Sequence, residues 1–431
     1  MYASVALALC APPLDVHAAA IDTTYGDDGI AQLGFMGEAS QAFGIVASNS
    51  GELTMAGIGQ FDGILRCTVS RLTADGQLAL EFGSDGTYIS DLEANEDFNG
   101  CGALVVDSKG DLFTVGFTYT DGEQTRSIMV LGLTPGGQLL ETFGNQGKVV
   151  INVPMTTDDG AGSITIDDKG NLYLAGSVRR EDNQFDALVI KLDSTGGLVP
   201  AFGEGGIALV NWGGPWDSAV AIALDRSERP VLVGATNYGA PSDFVASRLT
   251  TDGEVDETFG IDGMTTVDID TYDDANAMTL DDEDNIYTLV MATTDAPRRD
   301  AAIVKLNASG SVATEFGENG VARFAWGRWG LPGGITFGPQ GHLYFSGQYW
   351  PAELGQSAIV EAIDPADGTL VTTFGDNGVF LHSFDPMFTP YAHTFDSQGR
   401  LYLGGGSSLH FAATRILGVM PEAIFANGFE P

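Results

Sequence analysis

Tryptophans, tyrosines and aspartates recur together in short, irregular segments, and this pairing is where any chemistry of the chain would lie. Trp212, Trp216 and Asp217 share one such segment, and Trp326 and Trp329 share another. Asp97, Asp159, Tyr272 with Asp274, and Tyr391 stand in four more. Aromatic faces stack on the C–H faces of sugar rings while carboxylates accept hydroxyl hydrogen bonds, so the set reads as a candidate glycan-binding surface. The alternative is that these rings pack on one another and cover a core. Paired carboxylates could also hydrolyse a glycosidic bond, but the members of a pair would come from distant segments, and spacing does not say which converge. The catalytic residues therefore stay unassigned.

Other signatures are sparse. Calcium needs several oxygen ligands at short range. The runs Asp268-Ile-Asp-Thr-Tyr-Asp-Asp274 and Asp281-Asp-Glu-Asp284 supply carboxylates without matching an EF-hand loop or a glycine-rich calcium repeat. Calcium is thus a candidate ligand, solvated turns are the alternative, and no other cofactor is indicated. His342, His382, His393 and His410 cluster late in the chain, with no H-E-x-x-H and no G-x-S-x-G, so zinc-protease and serine-hydrolase chemistry finds no motif. A charged position five residues ahead of a recurrent Arg or Lys holds Asp186, Asp243 and Asp300, with Arg66 and Arg126 in the two earlier copies. It reads as a structural hydrogen bond repeated along the chain, with cation binding or pairing to a neighbouring repeat as the alternative. Cys67 and Cys101 form either one disulfide or two separate buried thiols.

The elements that must position these residues are repeats. An aromatic-G-x-x-G turn begins at Tyr25, Phe82, Phe143, Phe202, Phe259, Phe316 and Phe374, with spacings of 57, 61, 59, 57, 57 and 58. Between turns lie four β-branched and aromatic runs separated by Gly, Asp and Asn, and no helical period is present. Four short strands per repeat predict a propeller blade, here lettered A to D from the central channel outward. The chain opens on a lone D strand from Ile30 and ends on an A–B–C set, so the N-terminal strand is expected to pair with the last three and close the ring. The expected fold is all-β: a single seven-bladed β-propeller of four-stranded blades over residues 21–417. The aromatic and acidic segments above are then D–A loops, on the face that the B–C loops share.

The core Asp75-Gly-Gln-Leu-Ala-Leu-Glu-Phe-Gly-Ser-Asp-Gly86 and its counterpart over Asp252–Gly263 resemble the bacterial delta-60 repeat family, with departures at Gly136, Gly196 and Tyr25. The resemblance implies propellers in secreted or surface proteins and implies no particular chemistry.

Charge narrows the partners. With 58 acidic residues against 19 Lys plus Arg, the formal net charge is −39, which repels phosphate backbones, so no nucleic-acid partner is expected. Residues 1–20 read as a signal peptide, an apolar run followed by His-Ala-Ala-Ala20, whose missing basic start leaves room for a longer leader. No other segment is apolar enough to span a membrane. Residues 418–431 form a tail that reads as a sorting segment or as an ordered extension. Together these features predict an exported, monomeric, non-catalytic binding or scaffold protein that offers one loop face to a glycan or protein. A polysaccharide hydrolase or lyase and a purely structural surface protein are the alternatives.

Overall fold

The computed structural model describes residues 19–34, 39–91, 96–120, 126–237, 241–293, 299–326, 330–350, 356–407 and 410–418. The apolar leader through residue 18 and the tail from residue 419 lie outside the described residues.

Strands pair only antiparallel, in seven sheets that follow one another along the chain as the blades of a seven-bladed β-propeller. The third blade comprises Thr156–Ile166, Leu172–Arg180, Phe185–Leu192 and Ile207–Val210, which are its strands A to D. The fourth comprises Ser218–Leu224, Pro230–Thr236, Asp243–Arg248 and Met264–Val267. The fifth comprises Tyr272–Leu280, Ile286–Thr293, Arg299–Leu306 and Val321–Phe324. The seventh takes Phe388–Phe395, Leu401–Ser407 and His410–Leu417 from the end of the chain and Ile30–Leu33 from its beginning, Leu33 pairing with Phe411.

Composition explains the strand order within a blade. The B strands are covered on both faces by neighbouring blades and read as continuous apolar runs: Leu172 to Ala175 are all fully or almost fully buried. The D strands alternate, as in Ile207-Ala-Leu-Val210, where Ala208 and Val210 are buried and Leu209 is exposed. Most of the core therefore lies between blades. Phe113, Val115 and Phe143 of the second blade pack with Ile164, Leu174 and Leu188 of the third, and Tyr25, Tyr402 and Phe411 pack with Ile45 and Met55 across the closure.

The aromatic-G-x-x-G turn is an inter-blade fastener. Its aromatic is buried, Phe202 at 1% and Phe259 at 0% exposure. Its first glycine donates its N–H to the C–D turn of the next blade, from Gly203 to the Asp252 carbonyl at 2.7 Å and from Gly260 to the Ser309 carbonyl at 2.8 Å. Its last glycine, Gly206, adopts φ of 103°, where any side chain is strained. The glycine inside most B strands, expected to end them, answers a different need. A Cβ on Gly176 would stand 1.9 Å from the Gly160 carbonyl of the adjoining A strand, because a bulge between Ala161 and Ser163 pushes that strand inward.

Candidate functional site: the D–A and B–C loop face

Antiparallel order puts the D–A and B–C loops on one face and the A–B and C–D turns on the other. The tryptophans of the first face divide sharply. Trp212 is 5% exposed, its indole N–H donating to Ser247 Oγ at 3.1 Å. Trp326 is fully buried, stacked on Phe345 and donating to Glu361 Oε2 at 2.9 Å. Neither ring is offered to a ligand, because each plugs the end of an inter-blade core and its one polar atom is already paired. Trp216, by contrast, is 47% exposed and is propped by Phe185 at a centroid distance of 5.6 Å. Tyr272 occupies the corresponding position one blade on, half-buried. In both places the backbone makes a parallel bridge to the preceding B–C loop, Phe185 with Trp216 and Ser242 with Tyr272. Tyr391 is half-buried against Phe43 at 5.2 Å. Trp329 and the side chain of Asp97 lie outside the described residues.

Two of the aspartates also turn inward. Asp159 accepts from the Val153 N–H at 2.7 Å and from Thr156 Oγ1. Asp217 accepts from the Trp212 N–H at 2.6 Å and from Thr236 Oγ1 at 2.7 Å. Both are buried, and burial raises both carboxyls above the usual aspartate range. Their oxygens fold the D–A loop back on itself, which makes them loop-shaping groups. Asp274 is half-buried and accepts from Ser242 Oγ at 3.2 Å.

The strand register aligns one notch of this face from blade to blade. Between the third and fourth blades it contains Asp186, Asn211 and Asp217. Between the fourth and fifth it contains Asp243, Asp268 and Asp273. In the first of these notches Asp186 accepts from Arg180 Nη1 at 3.1 Å and from Asn211 Nδ2 at 3.0 Å. The same register puts Ser127, not Arg126, at the Asp186 position of the second blade, since Leu133 and Leu192 are the matching ends of strand C. Gly132 stands there in place of the Arg or Lys used for counting, so the sequence offered no anchor. Ser127 Oγ donates to Asn152 Oδ1 at 2.5 Å, and Arg126 instead pairs with Asp158 at 2.9 Å.

Three further groups find structural employment. Asp281, which opens the second acidic run, accepts from the Glu283 and Asn285 N–H groups at 2.9 Å each and forms an A–B turn. Asp167, Asp225 and Asp396 make the same turn in other blades, which accounts for part of the acidic composition. His393 is buried with Nδ1 2.7 Å from Ser346 Oγ, and among the described residues no histidine joins a metal-ligating cluster. Cys67 and Cys101 form a disulfide between the first and second blades.

Residues 231–259 match the family described as "Domain of unknown function (DUF5122) beta-propeller". No curated protein matches the chain. Among solved structures it is similar to a protein of unknown function from Dyadobacter fermentans, at 10% identity and a TM-score of 0.47 over 93% of this chain and 99% of that one. It is also similar to Sqt1 from Chaetomium thermophilum, at 11% identity and 0.48 over 92% and 99%. A third is the polysaccharide lyase Uly1, at 10% identity and 0.46 over 92% and 93%. Likenesses this slight carry no function to this chain. No helix among the described residues is long and apolar enough to cross a membrane.

Proposed function

We propose that the protein is an exported, non-catalytic binding module that presents its D–A and B–C loop face to a glycan. One observation carries this reading: the Trp216 indole is half exposed and held in place by Phe185, beside a notch that contains the Asp186 and Asp217 carboxylates, the Asn211 amide and the Arg180 guanidinium. Met155, Trp350 and Met387 are further exposed apolar side chains on the same face, at 81%, 43% and 48%. Single rings set among hydrogen-bonding groups suit the alternating C–H and O–H surface of a sugar, whereas a protein partner would want a contiguous apolar patch. A net charge of −39 favours neutral over anionic polysaccharides. The non-catalytic reading is supported by the occupation of the buried acids, since Asp159, Asp217 and Glu361 all spend oxygens on internal donors. The repeat core and the apolar leader support membership of the exported delta-60 propellers.

A panel of neutral, acidic and amino polysaccharides, read by titration calorimetry with mass spectrometry of the mixture, tests the proposal. Binding of a glycan class without fragments supports it. Fragments that accumulate with time replace it with a hydrolase or lyase, and silence across the panel removes the glycan.

A further inference from the structure

We infer that Asp243, Asp268 and Asp273 form a calcium site between the fourth and fifth blades. One carboxylate oxygen from each lies within 4.8 Å of the others, which is the spacing of ligands that share one ion. The nearby Arg323 is engaged elsewhere, pairing with Asp270 and donating to the Ile269 carbonyl. The preceding notch shows what a cation-free version of this position requires. There Asn211 donates to Asp186, Arg180 pairs with the same carboxylate, and Thr236 donates to Asp217 Oδ1. All three donors are missing one blade on. Asp268 replaces Asn211, the B–C segment Asn237-Tyr-Gly-Ala-Pro-Ser242 contains no basic residue, and Ala292 stands where Thr236 would be.

The loss of the hydroxyl leaves a specific defect. Asp273 is 0% exposed, and its Oδ2 accepts from the Ile269 and Asp270 N–H groups at 2.6 and 3.0 Å. Its Oδ1 is buried with no hydrogen-bond partner. A buried carboxylate oxygen left without a donor is unfavourable unless something positive reaches it. A cation bound between the three carboxylates offsets their mutual repulsion and the burial of the Asp273 carboxylate. Oxygen-only donors select a hard ion, and the flexible six- to eight-fold shell of calcium tolerates three carboxylates from separate loops completed by water, which magnesium accepts poorly. Asp268 is exposed and Asp243 half-buried, so the ion has a path in from solvent.

The test uses the full chain after treatment with a chelator. Calcium titration by calorimetry should show one equivalent bound and a rise in the melting temperature that magnesium at the same concentration does not match. Asp268→Asn restores the amide of the preceding notch and should keep the fold while weakening calcium on the order of 100-fold. Asp243→Asn, an independent ligand, should do the same. Absence of calcium binding at millimolar concentration overturns the inference. So does a calcium-induced shift that both variants retain.

Discussion

Asp22 and Arg415, 393 residues apart in sequence, form a buried ion pair in which the carboxylate accepts from both Nε at 2.8 Å and Nη2 at 2.5 Å. Asp22 precedes the opening D strand and Arg415 lies in the last C strand, so this pair ties the two ends of the chain into one blade. The guanidinium also covers the Tyr25 ring, with its carbon 5.0 Å from the centroid. The same arrangement recurs within one stretch of chain in the fourth blade, as Arg248 with Asp256 at 2.8 Å and with Phe259. The seventh blade therefore reproduces, from two termini, a device the fourth blade makes locally.

Removing one member of a buried pair strands the other charge, at a cost of about 3–5 kcal/mol. Asp22→Ala is expected to lower unfolding stability by that amount in urea titrations, with loss of protection first in residues 20–33. An unchanged midpoint would show that strand pairing alone closes the ring.

The cysteine pair bridges the first two blades with a sequence separation of 34. Chain-entropy arithmetic for a loop of this length gives about 4 kcal/mol. The Cys67→Ala, Cys101→Ala double variant should unfold at correspondingly lower denaturant under oxidising conditions, and should match the parent once both are reduced.

Two buried groups give opposite pH dependences. Burial pushes Glu361 up to about 7, against about 4.3 in an unfolded chain. The folded state then keeps a proton that the unfolded chain has released. This contribution is full below pH about 4.3 and is lost as pH rises through about 7, by about 4 kcal/mol. Burial pushes His393 down to about 4, against about 6.5 unfolded, so its contribution is present above pH about 6.5 and is lost as pH falls toward 4. The two nearly cancel in the parent between those limits. Glu361→Gln keeps an acceptor for the Trp326 indole and should gain stability over the parent as pH rises from 4.5 to 8. A gain that does not change with pH would contradict a raised Glu361.

The architecture was legible because the chain repeats it. Glycines forced by φ and by close backbone approach, and aromatics forced into each inter-blade seam, recur with a period that counts the blades. The site was far less legible. Trp212 and Trp216 stand four apart in an irregular loop with no periodicity to say which ring turns in, and only the core cavity beside Ser247 decides it. Asp159 and Asp217 look like surface acids until the loop amides they hold are seen. The acidic notch is assembled from strand C, the end of strand D and the next blade's strand A, so its members become neighbours only once the register is known. One signal was available in the sequence: aligning the repeats pairs Asn211 with Asp268, an amide replaced by a charge.

The inward and outward tryptophans make contrasting stability predictions. Trp326→Ala empties a fully buried ring position and should cost about 3–5 kcal/mol. Trp216→Ala removes a half-exposed ring and should cost about 1 kcal/mol or less. Urea unfolding of the two variants side by side checks the assignment.

The central claim is that one face of the ring is the working face, and Trp216 tests it against an apolar control on the other. Ile261 is 79% exposed in the C–D turn of the fourth blade, on the opposite face from Trp216. Calorimetric titration of the parent, Trp216→Ala and Ile261→Ala with the glycan selected from the panel is the most direct measurement. The account predicts that Trp216→Ala loses binding, by about 10-fold or more for a stacking ring, while Ile261→Ala binds as the parent does. Equal affinity in Trp216→Ala and the parent, or a loss confined to Ile261→Ala, would contradict it.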